Sequence, residues 1–445
     1  MFGLSGQAEI AIGVFTAVIL AIASNRLHLT VAALLGTIVL LLTGVLSAQE
    51  ASASINPAEA TIALFFGGMV VARTLVPTGV FDYLGALAQR VIGGDGRRLL
   101  AVIIVLAAPI CAFLPNATVV IMLGPLVINI CNRLRLDFTQ PVLLLVFIAN
   151  SAGLLTLVGD PATFIVGNAI RLSFADYLSL LSAGGLLAIL AVAALLPLVF
   201  RLTWRERQPE RETVALPPIT RPFALAACSA VLAVMIALFM FGESIDPPVS
   251  PPAVAVIGSG FVLLIAFTTK LDSVREILRD VDWETLLFFI CIFVLVGALD
   301  RTGVIGALGN SMGSWLGTNL LVASLVLLFG IAVLSSVIPN IPLVVAMVPL
   351  VKQYAIGAGL ATQAEMAAGY GHIPASVLPL FFAMCFGATL GGNATLLGAS
   401  SNIVASGICA QAGRPISFLT FLRYGAPIAL MQLVVTGLYV VLRFG

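Results

Sequence analysis

Long apolar stretches, separated by short polar segments, occupy almost the whole chain. A helix needs roughly 20 apolar residues to cross a bilayer, and most of the stretches have about that length. The uninterrupted stretches lie near residues 8–23, 29–47, 60–75, 179–200, 222–242, 251–268, 283–299 and 418–442. Longer stretches, broken by glycine, proline or polar residues, lie near 99–131, 139–170, 319–355 and 374–408. The pattern predicts an all-α polytopic membrane protein with broken helices at the midplane.

The composition indicates the same class of protein. Of the 445 residues, 60% are hydrophobic and 9% are charged, whereas a soluble domain carries about a quarter charged residues. A soluble enzyme, a nucleic-acid binder and a disordered scaffold are therefore excluded. The six cysteines show no Cys-x-x-Cys spacing, and the sequence contains no His-Glu-x-x-His motif. We therefore expect neither enzymatic activity nor a cofactor.

The positions of the basic residues predict the orientation of the chain. We take the interrupted stretches 99–131 and 319–355 as re-entrant hairpins, which enter and leave on one side, and the other ten stretches as crossings. Then 17 of the 21 Lys and Arg residues fall on one face, including Arg26 and the five arginines of the linker 201–221. Such an excess marks the cytoplasmic side, so both termini are predicted to be periplasmic. Two full crossings in place of each hairpin would give the same charge bias.

The chain also contains an internal repeat. Short motifs of the first half recur in the second half at an offset of 224 residues, and later motifs recur at an offset of 239. The matched pairs are Thr78-Gly79-Val80 with Thr302-Gly303-Val304, Pro115-Asn116 with Pro339-Asn340, and Thr156-Leu157-Val158-Gly159 with Thr395-Leu396-Leu397-Gly398. Self-similarity over such a distance predicts two structurally related halves.

Each predicted half has five crossings and one hairpin. Because five is odd, the second half starts on the opposite side of the membrane, which is the inverted arrangement of many secondary transporters. The predicted first inverted repeat covers residues 1–200, the cytoplasmic linker 201–221 and the second inverted repeat 222–445. Within the repeats the hairpins cover about 98–132 and 319–355, and the broken helices cover about 139–170 and 374–408.

Polar residues at the interruptions are the candidate binding residues. Irregular backbone at membrane depth is tolerated where it is buried or lines a wet cavity, and there freed carbonyls attract cations while helix N-termini attract anions. The candidates of the first half are Asn116, Thr118, Asn150, Gly153, Thr156 and Asp160. Those of the second half are Asn340, Asn393, Thr395, Ser400, Ser401 and Asn402. The alternative is that each interruption is only a capped break in a helix.

Asp160 is the one carboxylate that the pattern places deep in the bilayer. An ionisable residue at that depth indicates function, here a coupling proton or a bound cation. Asp160 is followed by Pro161, so it also fits the N-cap of a restarting helix, and the two roles are compatible. Since no Lys or Arg is predicted at midplane depth, the substrate is a small neutral solute, a small cation, or an anion held by amides, hydroxyls and a co-bound cation.

Five stretches resemble the ion transporter superfamily, within the branch that contains arsenite permeases, NhaD-type sodium/proton antiporters and the P protein. They are FLPNATVVIMLGPLVI, ANSAGLLTLVGDPATFIVG, SSVIPNIPLVVAMVPLV, GATLGGNATLLGASSNIVASG and ISFLTFLRYGAPIAL. Because they sample both halves, the resemblance covers essentially the whole chain. It implies an inverted-repeat fold with two re-entrant hairpins, a homodimer and elevator-type alternating access. The more distant dicarboxylate/sodium branch implies sodium near Asn116, Thr118 and Asp160.

The sequence departs from the family pattern at the hairpin tips and in the first broken span. Pro115 and Pro339 stand where many members of the branch have an acid, which weakens the case for a sodium/proton antiporter. Ala162-Thr163 replaces a Pro-Asn pair of the branch, which puts the ligand set of that span in doubt. Neither tip has the full Ser-Asn-Thr of the dicarboxylate branch, which argues against dicarboxylate uptake.

We therefore predict a secondary active ion transporter of the bacterial inner membrane. The leading hypothesis is arsenite or antimonite efflux coupled to proton entry through Asp160. Sodium/proton antiport, sodium-coupled uptake of a dicarboxylate-like or sulfate-like anion, and a channel without coupling are the alternatives. The expected partners are the lipid bilayer, a small inorganic ion or oxyanion, a second copy of the chain and, for an arsenite permease, an energising ATPase. We expect no nucleic-acid partner.

Overall fold

The computed structural model describes residues 5–24, 27–207, 216–367 and 373–444. Arg26 and residues 208–215 of the predicted linker lie outside these ranges. Within them the chain is helical and contains no β-strand. The predicted all-α class is therefore confirmed.

The chain forms 22 α-helices over the described ranges. Those of the first part are α1 Gly6–Ala23, α2 Leu29–Leu42, α3 Ala48–Leu75, α4 Val80–Ile92, α5 Gly96–Cys111, α6 Asn116–Arg133, α7 Thr139–Ala152, α8 Pro161–Ala169, α9 Phe174–Leu180, α10 Ser182–Val199 and α11 Arg201–Arg205. Those of the second part are α12 Pro222–Phe241, α13 Pro251–Thr269, α14 Val274–Arg279, α15 Trp283–Arg301, α16 Val304–Leu316, α17 Leu320–Ser335, α18 Asn340–Gly357, α19 Gln363–Met366, α20 Leu378–Gly391, α21 Ser400–Gln411 and α22 Phe418–Phe444.

Nine of the described helices are long and apolar enough to cross a membrane, or ten if α16 and α17, bent by 119°, count as one span. This number includes α6 and α18, which the sequence assigns to hairpins. It leaves out α2, α7 and α20, which have 14 residues each. Helices α7 and α20 are shorter than the predicted crossings because they are the first halves of the interrupted stretches and end at the breaks. The polytopic membrane fold is confirmed, whereas the re-entrance of the hairpins stays a prediction.

The helix boundaries follow the repeat seen in the sequence. Helices α4, α5 and α6 have 13, 16 and 18 residues, and α16, α17 and α18 begin 224 positions later with the same lengths. Helices α7 and α20 have 14 residues each and begin 239 positions apart. Gly79 and Gly303, which precede α4 and α16, both have a left-handed backbone with φ of 81° and 76°. The inverted orientation and the domain boundaries stay predictions.

Burial separates an outer surface from a central pair of helices. Large apolar side chains of the peripheral helices are exposed, among them Leu42 at 82% and Phe223 at 75%. By contrast, every residue of α7 from Gln140 and every residue of α20 from Pro379 is buried. A helix that is apolar all round belongs in the interior of a bundle. The two broken spans therefore start from the centre of the molecule.

The two halves exchange their restarting helices. Helix α8, which follows the first break, packs against α18 and α20 of the second half. Helix α21, which follows the second break, packs against α6 and α7 of the first half. Each break is thereby brought next to a helix start of the other half. This arrangement positions the polar residues described next.

Candidate functional site

Asp160 lies in the break of the first interrupted span. Helix α7 ends at Ala152, a short turn covers Gly153–Leu155, and α8 restarts at Pro161. Asp160 is the N-cap of α8, where its carboxylate accepts a hydrogen bond from the Ala162 amide at 2.8 Å. Only 3% of Asp160 is exposed. The capping role is therefore present, and the same carboxylate has further partners.

Both hairpin segments donate a hydrogen bond to Asp160. Asn116, the first residue of α6, donates from Nδ2 to Oδ2 of Asp160 at 2.8 Å. Asn340, the first residue of α18, donates from Nδ2 to Oδ1 at 3.5 Å. Hydrogen bonds to a charged acceptor are stronger than neutral ones. An ionised Asp160 therefore links the two hairpin segments through one buried carboxylate.

Gly153 allows this close approach. A Cβ atom at Gly153 would lie 2.8 Å from Cβ of Asp160 and 3.2 Å from Nδ2 of Asn116. Carbon atoms in van der Waals contact are about 3.5–4.0 Å apart. A side chain at this position would therefore push Asp160 away from Asn116. The predicted role of Gly153 thus becomes a packing requirement beside the carboxylate.

Thr156 and Thr395 attach the two breaks to the hairpin segments. The Thr156 hydroxyl donates to the carbonyl of Ala112, and the Thr395 hydroxyl donates to the carbonyl of Ser336. Each hydroxyl also accepts a hydrogen bond from the amide two residues further along, at 3.3 and 3.2 Å. These contacts recur at the offsets of the repeat. Both side chains therefore hold backbone in place, whereas the sequence suggested ligands.

Four predicted residues of the broken spans form one buried amide network. Asn150 Nδ2 donates to Oδ1 of Asn393 at 2.9 Å and to Oδ1 of Asn402 at 3.0 Å. Ser401 Oγ donates to Oδ1 of Asn150 at 2.5 Å. Asn402 Nδ2 in turn donates to two carbonyls of the second break, at 2.8 Å each. The network joins α7 to the start of α21.

Gln432 and Ser151 complete this network, and sequence reasoning missed both. Gln432 Nε2 donates to Oγ of Ser151 at 2.7 Å and to the carbonyl of Ala188 at 3.1 Å. Its Oε1 accepts from Nδ2 of Asn393 at 2.9 Å. A signal for Gln432 exists, because it is an uncharged amide inside the apolar run 425–435 of α22. Polar residues inside membrane spans usually face the bundle interior.

A small cavity of about 40 Å³ lies where the starts of α6, α8, α18 and α21 meet. A helix start carries partial positive charge and free amides, so four of them favour negatively polarised atoms. The predicted site residues that line the cavity are Asn116, Thr118, Asn150, Asp160, Asn340, Ser400 and Ser401. The other predicted residues, which are not among the lining residues, are Gly153, Thr156, Asn393, Thr395 and Asn402.

Asp282 and Thr285 also line the cavity, and sequence reasoning missed them. Asp282 caps the start of α15 by accepting a hydrogen bond from the Thr285 amide at 3.0 Å. In the sequence this residue is indistinguishable from an ordinary capping residue. Because Asp282 is exposed, the cavity extends from buried Asp160 to the exposed end of α15.

The lining includes carboxylates but no Lys or Arg. Over the described ranges no group of three or more His, Cys, Asp or Glu side chains is arranged to hold a metal ion. Asn116 Oδ1 is buried and has no hydrogen-bond partner in the described part of the chain. The site therefore offers one free amide oxygen directly beside the Asp160 carboxylate.

The second half of the repeat has no counterpart of the Asp160 carboxylate. Ala399 stands 239 positions after Asp160, and it is the N-cap of α21 as Asp160 is of α8. The second break thus has the same backbone arrangement without a carboxylate. The two halves are equivalent in helix boundaries and unequal in chemistry.

Comparisons with known proteins agree with this architecture. The protein named "Uncharacterized transporter slr0753" from Synechocystis is 49% identical over 97% of each chain. The human P protein is 28% identical over 97% of this chain and 59% of its own length. The solved structure of the Alcanivorax borkumensis YdaH transporter matches with a TM-score of 0.56 at 11% identity, over 88% of this chain and 86% of that chain. It therefore shares the fold.

A family match covers most of the sequence. Residues 18–371 match the CitMHS family, whose description is "Citrate transporter". The predicted relationship to the P protein within the ion transporter superfamily is confirmed. The relatives are transporters, which also bears out the expectation of a protein other than an enzyme. The chain belongs to the CitMHS family of secondary transporters.

Proposed function

We propose that this protein exports a small oxyacid or oxyanion, with arsenite or antimonite as first candidates, in exchange for protons carried by Asp160. The observation that carries the proposal is the pair of hydrogen bonds from Asn116 and Asn340 to the buried carboxylate of Asp160. A membrane-buried acid indicates function by default. Here its charge is linked directly to both hairpin segments.

Protonation of Asp160 would change these contacts. The ionised carboxylate accepts from both amides, whereas a protonated carboxyl group carries one donor of its own. Asn116 Oδ1, which lacks a partner among the described residues, is an acceptor close to that new donor. Because hydrogen bonds to a neutral carboxyl group are weaker than those to a carboxylate, binding of a proton would weaken the link between α6 and α18. This coupling of charge to helix contacts supports an elevator-type alternating-access cycle.

The cavity supports a small substrate. A volume of about 40 Å³ accommodates roughly three water molecules. Amides, hydroxyls and helix starts line it, and no basic side chain does. Citrate, which the family description suggests, would bring up to three negative charges and would need an accompanying cation. Arsenite and antimonite are small, and they are uncharged as oxyacids.

Sodium/proton antiport is the second candidate. The unpartnered oxygen of Asn116 and the carboxylate of Asp160 are hard oxygen ligands of the kind that bind sodium. In this alternative sodium and protons compete for the same carboxylate. Sodium/proton antiport therefore predicts that an imposed sodium gradient drives proton movement. Proton-coupled export of an oxyacid predicts no such movement.

The proposal also covers the oligomeric state of the transporter, its membrane and its orientation. We propose a homodimer in the bacterial inner membrane with periplasmic termini and a cytoplasmic linker. The excess of basic residues in one set of loops supports the orientation, and the homodimer is what the family resemblance implies. An arsenite permease could additionally bind an energising ATPase.

Transport in proteoliposomes tests the proposal. The full chain is reconstituted, and fluxes of arsenite, sodium and citrate are measured under imposed pH or sodium gradients. We expect uphill arsenite movement driven by the pH gradient and at least tenfold slower in Asp160→Asn. Glu59→Gln is the matched control, because it also turns a carboxylate into an amide, and Glu59 is exposed and is not among the lining residues of the cavity.

The same fluxes distinguish the alternatives. Arsenite flux that ignores the pH gradient would remove the leading proposal, and sodium movement driven by the pH gradient would favour the second candidate. Citrate transport that needs a divalent or monovalent cation would support the activity named in the family description. A flux without counterflow would indicate a channel.

A further inference from the structure

A second cavity lies at the other ends of the helices that line the Asp160 cavity. Its volume is about 1130 Å³. Helices α3, α8, α15 and α18 contribute residues to both cavities. Helix α18, for example, lines the small cavity with Asn340 and the large one with Lys352. The two cavities therefore lie at different positions along the same four helices. We call the larger cavity the vestibule.

Charged side chains of both signs line the vestibule. They are Glu50 from α3, Arg171 after α8, Glu243 after α12, Asp300 and Arg301 from α15, and Lys352 from α18. Glu50 and Arg301 form an ion pair with each other. No carboxylate of the described residues lies within ion-pair distance of Arg171 or Lys352. Two cations therefore remain without a counterion.

Arg171 and Lys352 influence each other. The positive charge of the Arg171 guanidinium acts on the Lys352 ammonium, which is partly buried. Like charges that line one cavity repel each other, and more so where water is partly excluded. An anion between them would remove this repulsion. The acids Glu243 and Asp300 belong to other helices and would disfavour binding of the anion on their side.

We propose that Lys352 and Arg171 bind a small oxyanion or a carboxylate group in the vestibule. The guanidinium supplies a planar pair of donors that matches two oxygens, and the ammonium supplies a point charge. The site lies in the vestibule, away from the Asp160 cavity. It does not rest on the proposed function, because the two cations and the vestibule do not involve Asp160.

The composition of the chain allows a direct binding measurement. Lys270 and Lys352 are its two lysines, and Lys270 is exposed at the end of α13. The purified full chain is placed in nanodiscs of phosphatidylethanolamine alone and treated with an amine-acetylating reagent. Mass spectrometry then follows both lysines with and without sulfate, phosphate or citrate. Sodium chloride of equal ionic strength is the control, and Lys270 is the internal reference.

We expect at least one of the three anions to slow acetylation of Lys352 at least fivefold while Lys270 is unaffected. The protection should disappear in Arg171→Gln and persist in Arg301→Gln, since Arg301 already has a carboxylate partner. Equal labelling with and without every anion would overturn the proposal. So would protection that survives in Arg171→Gln.

Two further arms of the experiment identify the source of the anion and separate the vestibule from Asp160. Protection that appears only when phosphatidylglycerol is added to the nanodisc would identify a lipid headgroup as the occupant and overturn binding of a soluble anion. In Asp160→Asn the protection should remain as in the unmodified chain. Loss of transport with intact protection would therefore concern the coupling site, and loss of protection with intact transport would concern only the vestibule.

Discussion

At the scale of single residues, the chemistry of the site depends on how closely the backbone approaches Asp160. Gly153 packs against Asp160 and Asn116, and neither partner is the end of a long flexible chain. Asn116 and Asn340 reach the same carboxylate from different halves. The backbone at Gly153, which is not among the lining residues of the cavity, can thus control the site.

Gly153→Ala should reduce transport at least tenfold while the protein still folds, because the new methyl group displaces Asp160 from Asn116. Transport and thermal unfolding in detergent are measured together. Gly407→Ala is the control, since a Cβ at Gly407 meets no atom within 4 Å. Equal transport by both variants would show that the backbone shifts to accommodate the methyl group and that the contact between Asp160 and Asn116 is not needed for transport.

Gln432 gives a second prediction at this scale. Gln432→Leu removes the buried hydrogen bonds of Gln432 to Asn393, Ser151 and the Ala188 carbonyl, which costs about 1–3 kcal/mol of folding free energy. We expect a lower unfolding temperature and reduced transport. In the control Thr268→Val, the lost hydroxyl serves only carbonyls of its own helix. A Gln432 variant as stable as this control would contradict a structural role of the network.

At the scale of elements, the exchange of α8 and α21 between the halves determines what can move independently. Each restarting helix packs on the other half, so a shift of one hairpin segment acts on the opposite break. Thr156 and Thr395 fasten these breaks by equivalent hydrogen bonds. The two connections should therefore have similar energetic weight.

Thr156→Val and Thr395→Val should each destabilise the fold by about 1–2 kcal/mol, because each removes a hydrogen bond to a carbonyl of the hairpin segment and one from a nearby amide. The double variant should lose about the sum, since the two hydroxyls bond to different loops. Chemical unfolding of the three variants in detergent measures this. A cost confined to one of the two positions would mean that the breaks are not equivalent in stability.

At the scale of the whole molecule, the predicted inversion of the halves can be measured. Arg98 and Val322 are 224 positions apart, near the starts of α5 and α17, and both are exposed. Cysteines at these positions should react with a membrane-impermeant thiol reagent from opposite sides. The six native cysteines are buried, which keeps the background low. Labelling of both positions from one side would exclude the inverted arrangement.

Much of this architecture follows from apolar length, helix breakers and the repeat. The breaks after Ala152 and Gly391 lie inside the predicted interrupted stretches. The direction of a side chain does not follow from such patterns. The sequence therefore could not predict that the Thr156 hydroxyl bonds to Ala112, or that Asp282 lines the cavity. Gln432 could be assigned to the network only once the face of α22 that contacts Ser151 and Asn393 was known.

Ala399, the counterpart of Asp160 in the repeat, limits the charge that one transport cycle moves across the membrane. A carrier with one titrating acid per site binds one proton per cycle. Exchange of that proton for a neutral oxyacid moves one net positive charge inward. The membrane potential would then contribute roughly 2.3 kcal/mol per 100 mV, in addition to the pH gradient. An acid at position 399 would double the charge moved and with it the voltage dependence.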